Sequence, residues 1–269
     1  MPRLGAMVPV LASCLWVGMV AAEPIFPNSV VSNDIDFITA SDPSVPGCLR
    51  YLGQATQEMA GALDTDELFA SGVHTFEVVF ADGAQVGLWV HPSVGTQEDA
   101  QAVAALLVGP LGRLPAVMRR PLSHVVIHSG DHTAFAEHLG HFFAVYADNV
   151  RARIGTHDLE ETVFHESVHA TLEADWAESA DWREAQAADG SFITEYAAES
   201  PEQEDLPESA LFAYTYLRHP ERLPPEVARR VEAIMPARMA FFETIFSAPE
   251  PDLSGVEQPK DCLTPPLEG

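Results

Sequence analysis

An α+β fold, with strands first and helices later, is what this sequence predicts, and three observations carry the prediction. Residues 74–80 and 86–90 are strand-like runs separated by the hairpin signal Asp82-Gly83. Two further short apolar runs follow, at 124–128 and 141–146. From residue 158 onward the blocks have helix length and apolar residues at three- and four-residue spacing. Mixed strands followed by helices read as α+β. The bulk numbers agree, since 269 residues with 47% hydrophobic and 20% charged side chains make a globular chain of one large domain or two small ones.

Taken in order, residues 1–22 are not fold. Arg3 precedes an apolar run, and Val20-Ala21-Ala22 offers small residues for cleavage before Glu23-Pro24, so the segment reads as a secretory signal cut after Ala22. A membrane anchor and a lipid attached at Cys14, within Leu11-Ala12-Ser13-Cys14, are the alternatives. Residues 23–48 form an irregular lead-in, and 49–70 are expected to be a helix. The hairpin strands 74–80 and 86–90 come next, so 23–95 is expected to be an N-terminal extension packed on the domain after it. Residues 96–108 form an Ala-rich helix with Thr96 as its N-cap. Residues 124–128 and 141–146 are strands. Helices are expected at 158–174, opened by Thr156 or Asp158, and at about 176–188, 191–198, 207–217 and 225–246. The catalytic unit then spans 96–247, and 248–269 is a Pro-rich extended tail.

The three cysteines bear on compartment. Loss of Cys14 with the signal leaves Cys48 and Cys262, which in an oxidising compartment are expected to form one disulfide. The formal charge of −26 becomes −27 once Arg3 is removed. Such a surface repels phosphate backbones and anionic lipid, which argues against nucleic-acid and membrane-surface partners.

The chemistry is concentrated in Val163-Phe164-His165-Glu166-Ser167-Val168-His169-Ala170. On a helix Thr162, His165, Glu166, His169 and Leu172 share a face, so two imidazoles four residues apart can reach one metal ion. Glu166 then lies beside the metal's water rather than on the metal. Zinc suits neutral imidazoles, lowers the pKa of its water towards 7, and leaves a carboxylate to take the proton. The pentapeptide alone can arise by chance, so the third ligand decides the class. A metzincin needs Gly and His where this chain has Leu172 and Asp175. A thermolysin-like enzyme needs a Glu in the region occupied by Ala188 and Asp189.

Further on stand Ser191-Phe192-Ile193-Thr194-Glu195-Tyr196-Ala197-Ala198 and Glu204-Asp205-Leu206-Pro207-Glu208. With the H-E-x-x-H helix they resemble the catalytic domain of the anthrax lethal factor-like metallopeptidases, which are gluzincins. A weaker similarity covers about 100–246, including Leu111-Gly112-Arg113-Leu114-Pro115, Ile127-His128-Ser129-Gly130 and Trp182. The resemblance implies a zincin-like catalytic domain with a small mixed sheet and an active-site helix. It implies His165, His169 and Glu204 as zinc ligands, Glu166 as general base and Tyr196 as a donor to the oxyanion. Glu208, and Glu173 with it, would orient the ligand histidines. The sequence departs in two places. Eight residues separate Tyr196 from Glu204 where seven are expected, which leaves Glu202 as an alternative ligand, and Pro207 stands where a small residue is usual.

His124, His128, His132, His138 and His141 read as strand-edge and loop residues, with a second metal site as the minor alternative. The strand 141–146 is expected to be the sheet's edge, where an extended peptide would add. The whole describes a secreted or periplasmic, monomeric zinc metallopeptidase acting on a peptide or protein substrate. Its rival is a zinc-binding protein of the same fold that docks a partner without turnover.

Overall fold

The computed structural model describes residues 23–61, 68–248 and 262–263; the expected signal, most of the tail and residues 62–67 of the expected 49–70 helix lie outside them. The strands are β1 (Gly47–Glu58), β2 (Phe69–Phe80), β3 (Gln85–Val90), β4 (His124–His128), β5 (Phe135–Glu137) and β6 (Phe142–Tyr146). They form one mixed six-stranded sheet in the order β1-β2-β3-β4-β6-β5. β1, β2 and β3 are antiparallel neighbours, β3, β4 and β6 run parallel, and β5 returns antiparallel to β6. The sheet therefore runs without a break across residue 95.

Two expectations are overturned here. Residues 49–58 are strand, not helix. Their Leu, Gln, Ala and Glu favour a helix in isolation, but from residue 53 the burial alternates strictly, and β1 pairs along its length with β2. Gly53, at φ +112°, supplies the conformation that the bulge between Tyr51 and Gly53 requires. The second correction concerns the edge. β6 is interior, buried at all five positions, and the short β5 is the edge strand instead. β5 is only three residues long and half-exposed, too weak a pattern to register against its neighbour.

Helix α1 (Gln97–Arg113) opens on a complete capping box, Thr96 with Asp99. A single turn, α2 (Ala116–Arg119), follows, and Arg119 pairs there with Asp82 of the β2–β3 turn through side chains that are both shielded from solvent. Helix α3 (Ala147–Thr156) has only Ala147 and Val150 buried, so it left little apolar periodicity to read. The expected 158–174 helix is α4 (Leu159–Ser167), a π turn over Val168–Leu172, and α5 (Glu173–Trp176), without a break in helical backbone. Asp158 takes the N-cap position, but its carboxylate is occupied by Thr156 and Arg153.

Helices α6 (Ala180–Asp189), α7 (Glu195–Glu199) and α8 (Asp205–Arg218) follow. α7 is shorter than expected because Thr194 caps it, leaving Ser191–Ile193 as an irregular approach. The expected 225–246 helix is two, α9 (Pro225–Ile234) and α10 (Pro236–Phe246), since Pro236 cannot donate to the preceding turn. A buried cluster locks this half, with Arg238 reaching Asp189 and Asp205 and so tying α10 to α6 and α8.

The main core lies between the sheet and the layer of α1, α4, α8 and α10, and a smaller cluster around Val73, Val126, Phe142 and Ala144 lies apart from it. Cys48 and Cys262 are joined in a disulfide, as the cysteine count suggested. Among the described residues no helix is long and apolar enough to cross a membrane.

Candidate metal centre

Every residue of α4 from Leu159 to Ser167 is buried, so the helix carries three glutamates and a histidine into the interior. Buried charge must be partnered or functional. Glu160 has Arg113 at 3.5 Å. Glu161 accepts the Phe37 amide at 2.6 Å. Glu166, only 7% exposed, has neither a hydrogen bond nor an ion pair among the described residues, and it faces a cleft. His165 faces the same cleft.

The cleft, of about 1210 Å³, is bounded by α4, the π turn and α5, by β5, by α7 and the loop after it, and by residues 27–32 of the lead-in. Its lining is acidic. Glu166, Glu173, Glu178, Glu199, Glu202 and Glu204 face it, against Arg153 and His138.

On its floor His165 Nε2 and His169 Nε2 stand 3.2 Å apart, and Glu204 Oε2 stands 3.5 Å from each. Among the described residues this is the one group of His, Cys, Asp or Glu whose ligand atoms converge closely enough to hold a metal ion. The spacing fits zinc. Bonds of about 2.0–2.1 Å at tetrahedral angles put ligand atoms roughly 3.3 Å apart. Glu204 Oε2 is also buried with no hydrogen-bond donor, an acceptor with nothing to accept. The donor set, two imidazoles and a carboxylate, is one that catalytic zinc uses, with a fourth position left for water.

Local structure sets this geometry. The π turn places His169, and π turns occur often at functional sites. One carbonyl within it, Ala170 O, lies 2.9 Å from His141 Nδ1. Leu172, expected on the ligand face, is buried in the main core, because the π turn rotates the helix beyond it. Glu204 is placed by the start of α8, whose buried Asp205 is held by Arg238.

Around the three candidate ligands stand further carboxylates. Glu173 Oε1 lies 2.7 Å from His169 Nδ1. Glu208 Oε1 lies 3.5 Å from His165 Nδ1 and is fully buried at the first turn of α8, where Pro207 is accommodated. Tyr196 donates its phenol to Glu204 Oε1 at 2.9 Å. Glu202 is exposed on the cleft wall and takes no part in the ligand group, so the geometry selects Glu204 at the eight-residue spacing.

The electrostatics reflect this crowding. Burial pushes the Glu204 carboxyl up, but the two imidazoles outweigh it and hold the group well below the usual range. Burial pushes His169 down, and Glu173 and Glu204 more than reverse this, raising it to about 10. The carboxylates thus draw positive charge to this spot, and proton and metal compete for it. Burial raises Glu166, against the pull of His165 and His169. Burial and then the charge of Glu204 raise Tyr196, so its phenol stays a donor.

The other histidines do not converge. His124 stacks between Trp89 and Phe142, at 3.6 and 4.8 Å, and His128 and His132 pack on Tyr146. What the sequence did not disclose is the role of Ser29, whose hydroxyl donates to Glu208 Oε1 at 2.6 Å. Ser29 is 179 positions away from it, and no local pattern signals such a contact. Comparison with models of known protein families, with curated proteins and with solved structures finds no match to this chain.

Proposed function

We propose that this protein is a zinc-dependent metallopeptidase of zincin-like fold and gluzincin type, exported to a secreted or periplasmic location, that hydrolyses peptide bonds. The observation that carries the reading is the convergence of His165 Nε2, His169 Nε2 and Glu204 Oε2 at zinc-ligand separations on the floor of an open cleft. Zinc held by these three atoms would supply a positive centre that acidifies a water molecule and polarises a carbonyl.

The chain's own groups do the rest. Glu166, buried and unpartnered, accepts the proton of the attacking water and returns it to the leaving amine. Its raised pKa brings the carboxylate closer to neutral pH, where a base works best. Tyr196, protonated and at the cleft wall, donates a hydrogen bond to the oxygen on which charge develops. Glu173 holds the Nδ1 side of His169, and Glu208 faces Nδ1 of His165 at 3.5 Å, which leaves both Nε2 atoms to ligate. The cleft has room for an extended peptide alongside the edge strand β5. The disulfide fits an oxidising compartment.

The test is a peptide library incubated with zinc-loaded protein. Turnover that chelation abolishes, and that Glu166→Gln lowers by roughly 10²–10⁴ while retaining zinc, is the expected result. Zinc-loaded wild type that cleaves nothing, while still binding peptide, would favour the docking role over catalysis.

A further inference from the structure

The lead-in between residues 25 and 38 is not loose. Ile25 and Glu195 each donate an amide across to the other segment, at Ile193 O and Phe26 O, both at 2.9 Å. Phe26 stacks on Phe212, and Phe37 meets the same ring edge-on. Phe37 N–H is held by Glu161 of the site helix. Between these anchors the chain crosses the cleft wall, where Pro27, Asn28, Ser29, Val31 and Ser32 face the cavity.

Ser29 stands at the N-cap of a single 3-10 turn, Val30–Ser32, yet its hydroxyl does not cap that turn. It donates to Glu208 Oε1 at 2.6 Å, and the next amide, Val30 N–H, donates to Glu208 Oε2 at 2.9 Å. Glu208 is fully buried, so these donors fix where its oxygens lie. Oε1, the oxygen that Ser29 holds, is also the one facing His165 Nδ1 at 3.5 Å. That nitrogen is buried and has no hydrogen-bond partner. A metal on Nε2 leaves the proton on Nδ1, which then needs an acceptor. A movement of a few tenths of an ångström brings Oε1 within hydrogen-bond reach.

We propose that Ser29 is a positioning residue of the metal centre: by holding Glu208 against His165 Nδ1, it makes the strap 25–38 a built-in part of the site rather than a plug to be removed. The inference rests on the metallopeptidase reading. A plug would be released by cleaving its contacts and would leave the ligands intact. Here the strap's contacts are themselves the outer support of one ligand, so losing them lowers metal affinity.

The experiment is a competition titration of zinc against a chromophoric chelator, on the purified wild type and on Ser29→Ala, Ser29→Thr, Glu208→Gln and Ser29→Ala/Glu208→Gln. Ser29→Ala should bind zinc about 10-fold or more weaker, within the 10–100-fold range of such outer partners. Ser29→Thr keeps the hydroxyl and should stay close to wild type. In the Glu208→Gln background, Ser29→Ala should cost nothing further, since its effect travels through Glu208. An equal loss in both backgrounds, or none in either, overturns the inference alone. A wild type that binds no zinc overturns the metallopeptidase reading, and this inference with it.

Discussion

Two groups of histidines share this fold and differ in what surrounds their nitrogens. On the sheet, His124 lies between Trp89 and Phe142, and burial pushes it down to about 4, so it is neutral at any ordinary pH. His128 packs on Tyr146 and His91, and its Nε2 lies 3.0 Å from Ala60 O. These rings have aromatic neighbours and no shared focus. On the site helix, His165 and His169 point their Nε2 atoms at each other and at a carboxylate. A buried imidazole is therefore not enough to make even a candidate metal site. Spacing along a helix and an acidic partner from another element make the difference.

The sharpest way to break this contrast is to remove one ring from each group. His165→Ala should abolish stoichiometric zinc binding, whereas His124→Ala should retain it and lose only packing. Elemental analysis of the two variants checks this, and zinc lost equally from both would erase the distinction.

The next effect is on turnover alone. Tyr196 touches Glu204 but belongs to no convergent ligand set. Tyr196→Phe should keep zinc and lower kcat by about 10²–10³, the usual cost of one oxyanion donor. Zinc loss in this variant would mean that the phenol serves the metal rather than the reaction.

The smallest effect lies on α4, the helix of His165, at a carboxylate outside the cleft lining. Burial, more than the nearby Asp158 and Asp36, pushes Glu161 up to about 8 from an ordinary 4.5. The folded protein then holds a proton that the unfolded chain releases above about pH 4.5. The stability from this group is full below that pH, declines as pH rises, and is lost once the folded group ionises near 8. Glu161→Gln mimics the protonated form. It should flatten that part of the Tm-versus-pH curve, raising Tm at pH 8 and leaving it little changed at pH 4.5. A variant whose curve keeps the wild-type slope contradicts this assignment.

Much of the site was legible because its elements are local. The spacing of His165 and His169, the position of Glu166 and the Thr96 cap are each written within a few residues. Less was legible where tertiary pairing overrode local preference. β1 looked helical until its pairing with β2 was seen, and the edge strand β5 was too short to read. The π turn left no trace in composition, although it places His169 and turns Leu172 into the core. The choice between Glu202 and Glu204 was also out of reach, since both lie in one acidic loop. Only the start of α8, fixed by Asp205 and Arg238, turns Glu204 inward.

The most direct test of the account is therefore the zinc content of wild type beside Glu204→Ala and Glu202→Ala. About one zinc per chain is expected in wild type and in Glu202→Ala, and its loss in Glu204→Ala. A wild type that takes up no zinc when it is supplied, or a Glu204→Ala variant that keeps it, would contradict a metal centre built on His165, His169 and Glu204.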